Sequence, residues 1–224
     1  MDLLPQLSIS AHIGAGTLTL IAGPLAIWFN RRDPRRHRVA GRIFYWAMTL
    51  VCATAIAGFL RHPGVVFYQF LLGISLLVWA GIFRAVRALR LMRGAAVRPY
   101  DYAVSAALLL CGLWMASQAV RYGLRGGDAV MFAILFGVFG GGALADAAGH
   151  LRKLRQAAAL HPSVWLHEHA ITMLGAFTAS TTAFTVNAAH FLPWYLQWFG
   201  PLMLILPLQL YWGRKLRQTV PAAA

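Results

Sequence analysis

Long apolar stretches alternate along this chain with short breaks rich in Arg, Gly and Pro. A membrane-crossing helix needs about 20 predominantly apolar residues. Seven stretches read as such helices: 6–29, 43–60, 65–88, 102–122, 128–149, 164–191 and 194–212. The breaks carry turn or charge signals, among them Arg61-His62-Pro63-Gly64 and Leu192-Pro193. The pattern predicts an all-α fold, a polytopic bundle of seven transmembrane helices forming a single domain over residues 1–224. The opening Met-Asp-Leu-Leu-Pro has no basic segment, and no small-residue cleavage site is evident in the first stretch. That stretch therefore reads as an uncleaved helix rather than a signal peptide.

Composition agrees. The 224 residues are 59% hydrophobic and 12% charged, against about 25% charged in soluble domains. The net charge of +14 would suggest nucleic acid as a partner in a soluble protein. Here the bases fall between apolar stretches, as in the loops of a membrane protein, so no nucleic acid is expected. The partners expected instead are the bilayer, with anionic lipids at the basic face, and other membrane subunits.

Charge also predicts orientation. Seventeen of the 20 Lys and Arg fall in four regions on one side: 31–42, 84–98, 152–155 and 214–217. Arg61, Arg121 and Arg125 fall on the other. The positive-inside rule puts the seventeen in the cytoplasm, the N-terminus outside and the C-terminus inside, in a bacterial inner membrane. Trp28, Trp46, Tyr100, Trp165, Trp194 and Trp212 sit near predicted helix ends as an aromatic belt. Cys52 and Cys111 lie inside apolar stretches and read as small core residues.

Ionisable residues inside a bilayer are costly, and each is a functional lead. With the topology above, His12, His62 and His190 fall toward the outer face, and His37, His150, His161, His167 and His169 toward the cytoplasmic face. In the sixth stretch His169, Thr172, Ser180 and Asn187 form a polar stripe ending near His190. The stripe faces the protein interior, as a packing face or as a path. His169 and His190 are separated by roughly 31 Å of helical rise, so they mark opposite membrane edges. Asp146 and His150 are four apart and share a helix face, either as a capping pair or as a proton relay. His12, followed by Gly14 and Gly16, suits either a buried histidine bonded to a neighbour or an axial ligand to a porphyrin. The loop His37-Arg38-Val39-Ala40-Gly41-Arg42 supplies topogenic charge, or arginines that hold a haem propionate or lipid phosphate.

The pairing of AHIGAGTLTLIAGP (11–24) with HRVAGRIF (37–44) resembles a family of bacterial multi-pass membrane proteins grouped as a domain of unknown function. The likeness rests mainly on residues 9–46, with a weaker echo in WLHEHAITMLGAFTA (165–179). It implies a helical membrane fold and no particular activity. That family is distantly similar to di-haem b-type cytochromes and ferric-reductase-like bundles. Those often place two ligands about four turns apart on one helix, a spacing absent here, so ligand pairs must come from different helices. The resemblance thus implies His12 with His190 or His62 on the outer side, and a choice among His37, His150 and His169 on the inner side. Other classes lack their signatures. The last stretch has no lysine for retinal, and there is no histidine box and no H-E-x-x-H. Ser8 and His12 match the opening of seven-helix zinc hydrolases, whose last-helix H-x-x-x-H is missing.

Three functions fit. The leading expectation is transmembrane electron transfer through haem b, a membrane oxidoreductase activity, with His12, His190, His150 and His169 as iron ligands and Arg38 and Arg42 beside the cofactor. The alternatives are a proton-coupled transporter with Asp146, His150, His169, Ser180 and Asn187 along its path, and a non-catalytic accessory subunit.

Overall fold

A computed structural model describes residues 3–218; Met1 and Asp2 of the opening segment lie outside the described residues. The chain is all-α, with seven long helices: α1 (Leu3–Phe29), α2 (Pro34–Arg61), α3 (Val66–Met92), α4 (Pro99–Arg125), α5 (Ala129–Arg155), α6 (Pro162–Ala188) and α7 (Trp194–Gln218). Each has 25 to 28 residues, roughly 40 Å of rise, against about 30 Å of hydrocarbon. Among the described residues, five helices are long and apolar enough to cross a membrane: those over Gln6–Phe29, Pro34–Arg61, Val66–Met92, Pro99–Arg125 and Gly127–Arg155. The first turns of α6 carry His167, Glu168 and His169, and α7 carries Gln197 and ends in Arg214 and Lys215.

The distribution of side chains is that of a protein solvated by lipid. Leu18, Ile21, Leu110, Leu113 and Val120 are exposed, while Arg84, Arg87, Asp101 and His150 are buried. In water such an apolar exterior would drive association. This chain is a multi-pass membrane protein.

Most helices extend beyond the apolar stretches, because a helix continues into the polar interface as long as its backbone bonds are met. The largest correction is in α2. The expected loop His37–Arg42 is helical, and the helix begins at Pro34. Asp33 Oδ1 accepts the backbone N–H groups of Arg35 (2.9 Å) and Arg36 (3.0 Å). Asp33 is thus the N-cap, with proline at the first helical position, where its missing N–H costs nothing. Arg38 and Arg42 become exposed neighbours one turn apart on this helix.

The residues gather into two compact units. The first holds α1, α2 through Thr54, α6 and α7; the second runs from Ala55 to Pro162 and holds α3, α4 and α5. In the first unit, the Ser180 hydroxyl of α6 meets that of Thr19 in α1 at 2.6 Å. Thr19 gives its own proton to Gly16 O (2.7 Å), so Ser180 is the donor. A Cβ on Gly23 would lie 2.5 Å from the Phe177 ring, so glycine there lets α1 and α6 approach.

In the second unit, α4 and α5 pack most closely. A Cβ on Gly140 would lie 2.9 Å from Met115 Cβ and 3.1 Å from the Ala116 backbone nitrogen. A Cβ on Gly112 would lie 3.1 Å from Gly140 O. These facing glycines bring the two backbones together, as small residues do between membrane helices. Phe70 packs edge-on against Phe136 at 5.3 Å between ring centroids, and Tyr122 stacks on Phe136 at 5.7 Å. Cys52 and Cys111 are buried free thiols, as their apolar contexts predict.

Candidate functional site

The densest buried polar cluster lies in the second unit, near one end of α3, α4 and α5. Arg84 and Arg87 stand in the last turns of α3, Asp101 and Ser105 in the first turns of α4, and Asp146 and His150 in the last turns of α5. The short connection Arg93–Arg98 returns the chain, so the start of α4 faces the end of α3. Side chains three and four apart share a helix face. Arg84 with Arg87, and Asp101 with Ser105, therefore turn inward together, and Asp146 stands one turn from the buried His150 with 39% of its own side chain exposed.

Arg87 and Asp101 form a complete clamp. Arg87 Nε donates to Asp101 Oδ1 at 2.8 Å and Nη2 to Oδ2 at 3.0 Å, a planar fork on a carboxylate. Nη2 also donates to Ala96 O at 2.6 Å. Asp101 Oδ2 accepts the N–H of Arg98 at 2.8 Å, closing the N-terminus of α4. The Arg87 guanidinium lies 5.2 Å from the Tyr100 ring centroid, a cation–π contact.

The second pair is incomplete. Arg84 Nε donates to Ala80 O in its own helix at 3.2 Å, and Nη2 donates to Asp146 Oδ2. Nη1 is buried and has no hydrogen-bond partner. The Arg84 side chain is 1% exposed, but that of Asp146 is 39% exposed. Leaving a buried charged donor unsatisfied costs about 1–3 kcal/mol or more.

His150 follows Asp146 by one turn of α5 and is 2% exposed. Its Nδ1 is 2.8 Å from Ser105 Oγ. Ser105 gives its proton to Asp101 O at 3.1 Å, so the imidazole carries hydrogen on Nδ1 and donates to Ser105.

The other expected site residues have local roles. His12 Nδ1 lies 2.8 Å from Thr54 Oγ1, whose proton is used toward Leu50 O and Val51 O, so His12 also carries hydrogen on Nδ1. His37 Nδ1 donates to Ala26 O at 2.8 Å and satisfies one of the last carbonyls of α1. His62 is exposed and stacks on Tyr68 at 5.0 Å. His169 is half-buried in α6, and His190 is exposed beyond its end. Of the expected stripe on α6, Ser180 is buried, His169 and Thr172 are half-buried, and Asn187 is exposed. Asn187 is exposed in the last turn and donates to Ala183 O of its own helix at 2.7 Å. Asp146 and His150 do share a face, but the bonds just described join them to Arg84 and Ser105 on the neighbouring helices. Among the described residues, no group of three or more His, Cys, Asp or Glu side chains is placed to hold a metal ion.

In sequence, Arg84 and Arg87 belong to the basic run 84–98 that predicts orientation, and no motif singles out Asp101, Ser105 and Glu168, all of them buried. One signal was present. With six acidic residues against 20 basic ones, each carboxylate within or beside an apolar stretch has several arginines to choose from and marks the one it buries.

No family model, curated protein or solved structure matches the chain.

Proposed function

We propose that this protein is a proton-coupled transporter of small solutes, oriented with the end of α3–α5 that bears the buried cluster toward the cytoplasm of a bacterial cell. One observation carries the reading: the incomplete Arg84–Asp146 pair, one turn along α5 from the His150–Ser105 pair. A pair built for stability is saturated, as Arg87–Asp101 is. A half-satisfied pair with a partly exposed carboxylate, one turn from a buried imidazole, holds groups able to exchange protons and partners at the membrane edge. The orientation rests on the excess of Lys and Arg at that end, where anionic lipid head groups are the expected neighbours.

The test is solute-driven proton movement in liposomes loaded with a pH-sensitive dye, challenged with a panel of anionic, cationic and neutral solutes. At least one solute is expected to change internal pH in wild-type liposomes and none in Asp146→Asn liposomes. Identical traces in protein-containing and empty liposomes across the panel would contradict the reading.

A second reading keeps haem-linked electron transfer, and His12 favours it. Its Nδ1–H bond to Thr54 is the kind that orients an imidazole for ligation through the other nitrogen. An absorption spectrum and iron analysis of the purified protein decide it: a Soret band lost in His12→Ala supports it, and its absence with no iron contradicts it.

A further inference from the structure

Arg84 has an unused half. Its guanidinium offers five N–H donors. Nε is taken by Ala80 O and Nη2 by Asp146, whereas Nη1 is buried without a partner. Nine-tenths or more of the side chain is enclosed, so water does not compensate. The neighbouring arginine solves the same problem differently. Arg87 places both its donating nitrogens on one carboxylate and adds Ala96 O. Asp146 engages Arg84 through one oxygen only and keeps much of its side chain outside the packed interior. The basic rim around this end, with Arg90, Arg93, Arg98 and Arg152, attracts anions toward the cluster.

We infer that Arg84 is the core of an oxyanion-binding site, with Asp146 as its resident counter-ion. The ligand is a phosphate or carboxylate oxyanion that takes a fork across Nη1 and Nη2 as the Asp146 carboxylate swings away toward the exposed side. A guanidinium fork matches two oxygens on one phosphorus or carbon, which a halide cannot supply. Both the Asp146-bound and the anion-bound states keep the buried charge neutralised, so exchange leaves no unpaired guanidinium. The oxyanion has two sources, a free solute or the phosphate of an anionic lipid. The inference rests on the transporter reading only in naming the free solute as cargo; the site itself does not require transport.

The experiment is binding of radiolabelled inorganic phosphate and succinate to the purified full-length protein in phosphatidylcholine nanodiscs. A parallel arm measures retention of phosphatidylglycerol through purification. Asp146→Asn keeps Arg84 and the side-chain shape but removes the competing charge, and is expected to bind at least one probe about tenfold more tightly. Arg84→Lys, which keeps the charge but loses the fork, is expected to lose that gain when combined with Asp146→Asn. Arg121→Gln, an exposed position at the far end of α4 from the cluster, is expected to leave probe affinity within about twofold, which controls for the loss of an arginine away from the site. Phosphatidylglycerol retained by wild type and lost in Arg84→Lys also supports the site and makes lipid its source. Unchanged affinity for both probes in Asp146→Asn, with no phosphatidylglycerol retained by the wild type, overturns the inference, and this result does not depend on whether Arg84→Lys folds. If a cation or neutral solute drives proton movement while both probes fail to bind, the transporter reading stands and the oxyanion site falls. If Arg84-dependent binding occurs without flux, the site stands and the transporter reading falls.

Discussion

Arg87 and Asp101 meet through two hydrogen bonds of 2.8 and 3.0 Å, fourteen residues apart in sequence and both buried. The contact closes the hairpin from α3 to α4 and fills the carboxylate with three donors, two from Arg87 and one from the Arg98 backbone. Breaking such a pair leaves one charge buried without its partner. Arg87→Ala or Asp101→Asn is expected to destabilise the protein by about 3–5 kcal/mol. Arg87→Met with Asp101→Leu is expected to recover much of the loss, because no charge is then stranded. Thermal unfolding in detergent checks both.

The glycines of α5 divide by face. Gly140→Ala drives a methyl group against Met115 and the α4 backbone, whereas a Cβ on Gly141 meets nothing within 4 Å. Gly140→Ala is expected to cost about 1–3 kcal/mol. Gly141→Ala should be neutral or slightly stabilising, as alanine is the better helix former. The same unfolding assay separates the two.

Ser180 belongs to packing. Its hydroxyl donates to Thr19, and Ser180→Ala removes one interhelical bond, worth about 0.6 kcal/mol in membrane proteins. Solute-driven proton movement is expected to survive this substitution, and its loss would move the path to α6.

Orientation has its own check. A green fluorescent protein fused after α7 is expected to fluoresce, as the proposed orientation, drawn from the Lys and Arg pattern, requires. A periplasmic reporter enzyme at that position is expected to be silent. The opposite pair of results would invert the membrane topology.

The helices were legible because hydropathy records which segments lie in lipid, and Asn30, Pro63 and Pro193 mark the breaks between them. The start of α2 was not. A run of arginines looks like a loop to a hydropathy reading, although the Asp33-Pro34 pair is a helix N-terminus in plain view. The candidate site was half legible. Asp146 and His150 share a face by spacing alone, but their partners Arg84 and Ser105 lie on other helices, and sequence separation carries no record of that pairing. Arg84 and Arg87 also occupy the end of a membrane helix, where topogenic arginines occur. Only burial distinguishes an arginine turned inward from one that reaches toward head groups.

On the proposed function, the Arg84–Asp146 pair works in proton-coupled transport rather than holding helices together. The most direct measurement is internal pH in dye-loaded liposomes during an imposed phosphate or succinate gradient, with wild type and Asp146→Asn reconstituted at equal density. Gradient-driven acidification is expected in the wild type and absent in Asp146→Asn, although that variant remains folded. Equal acidification in both would contradict the proposed function.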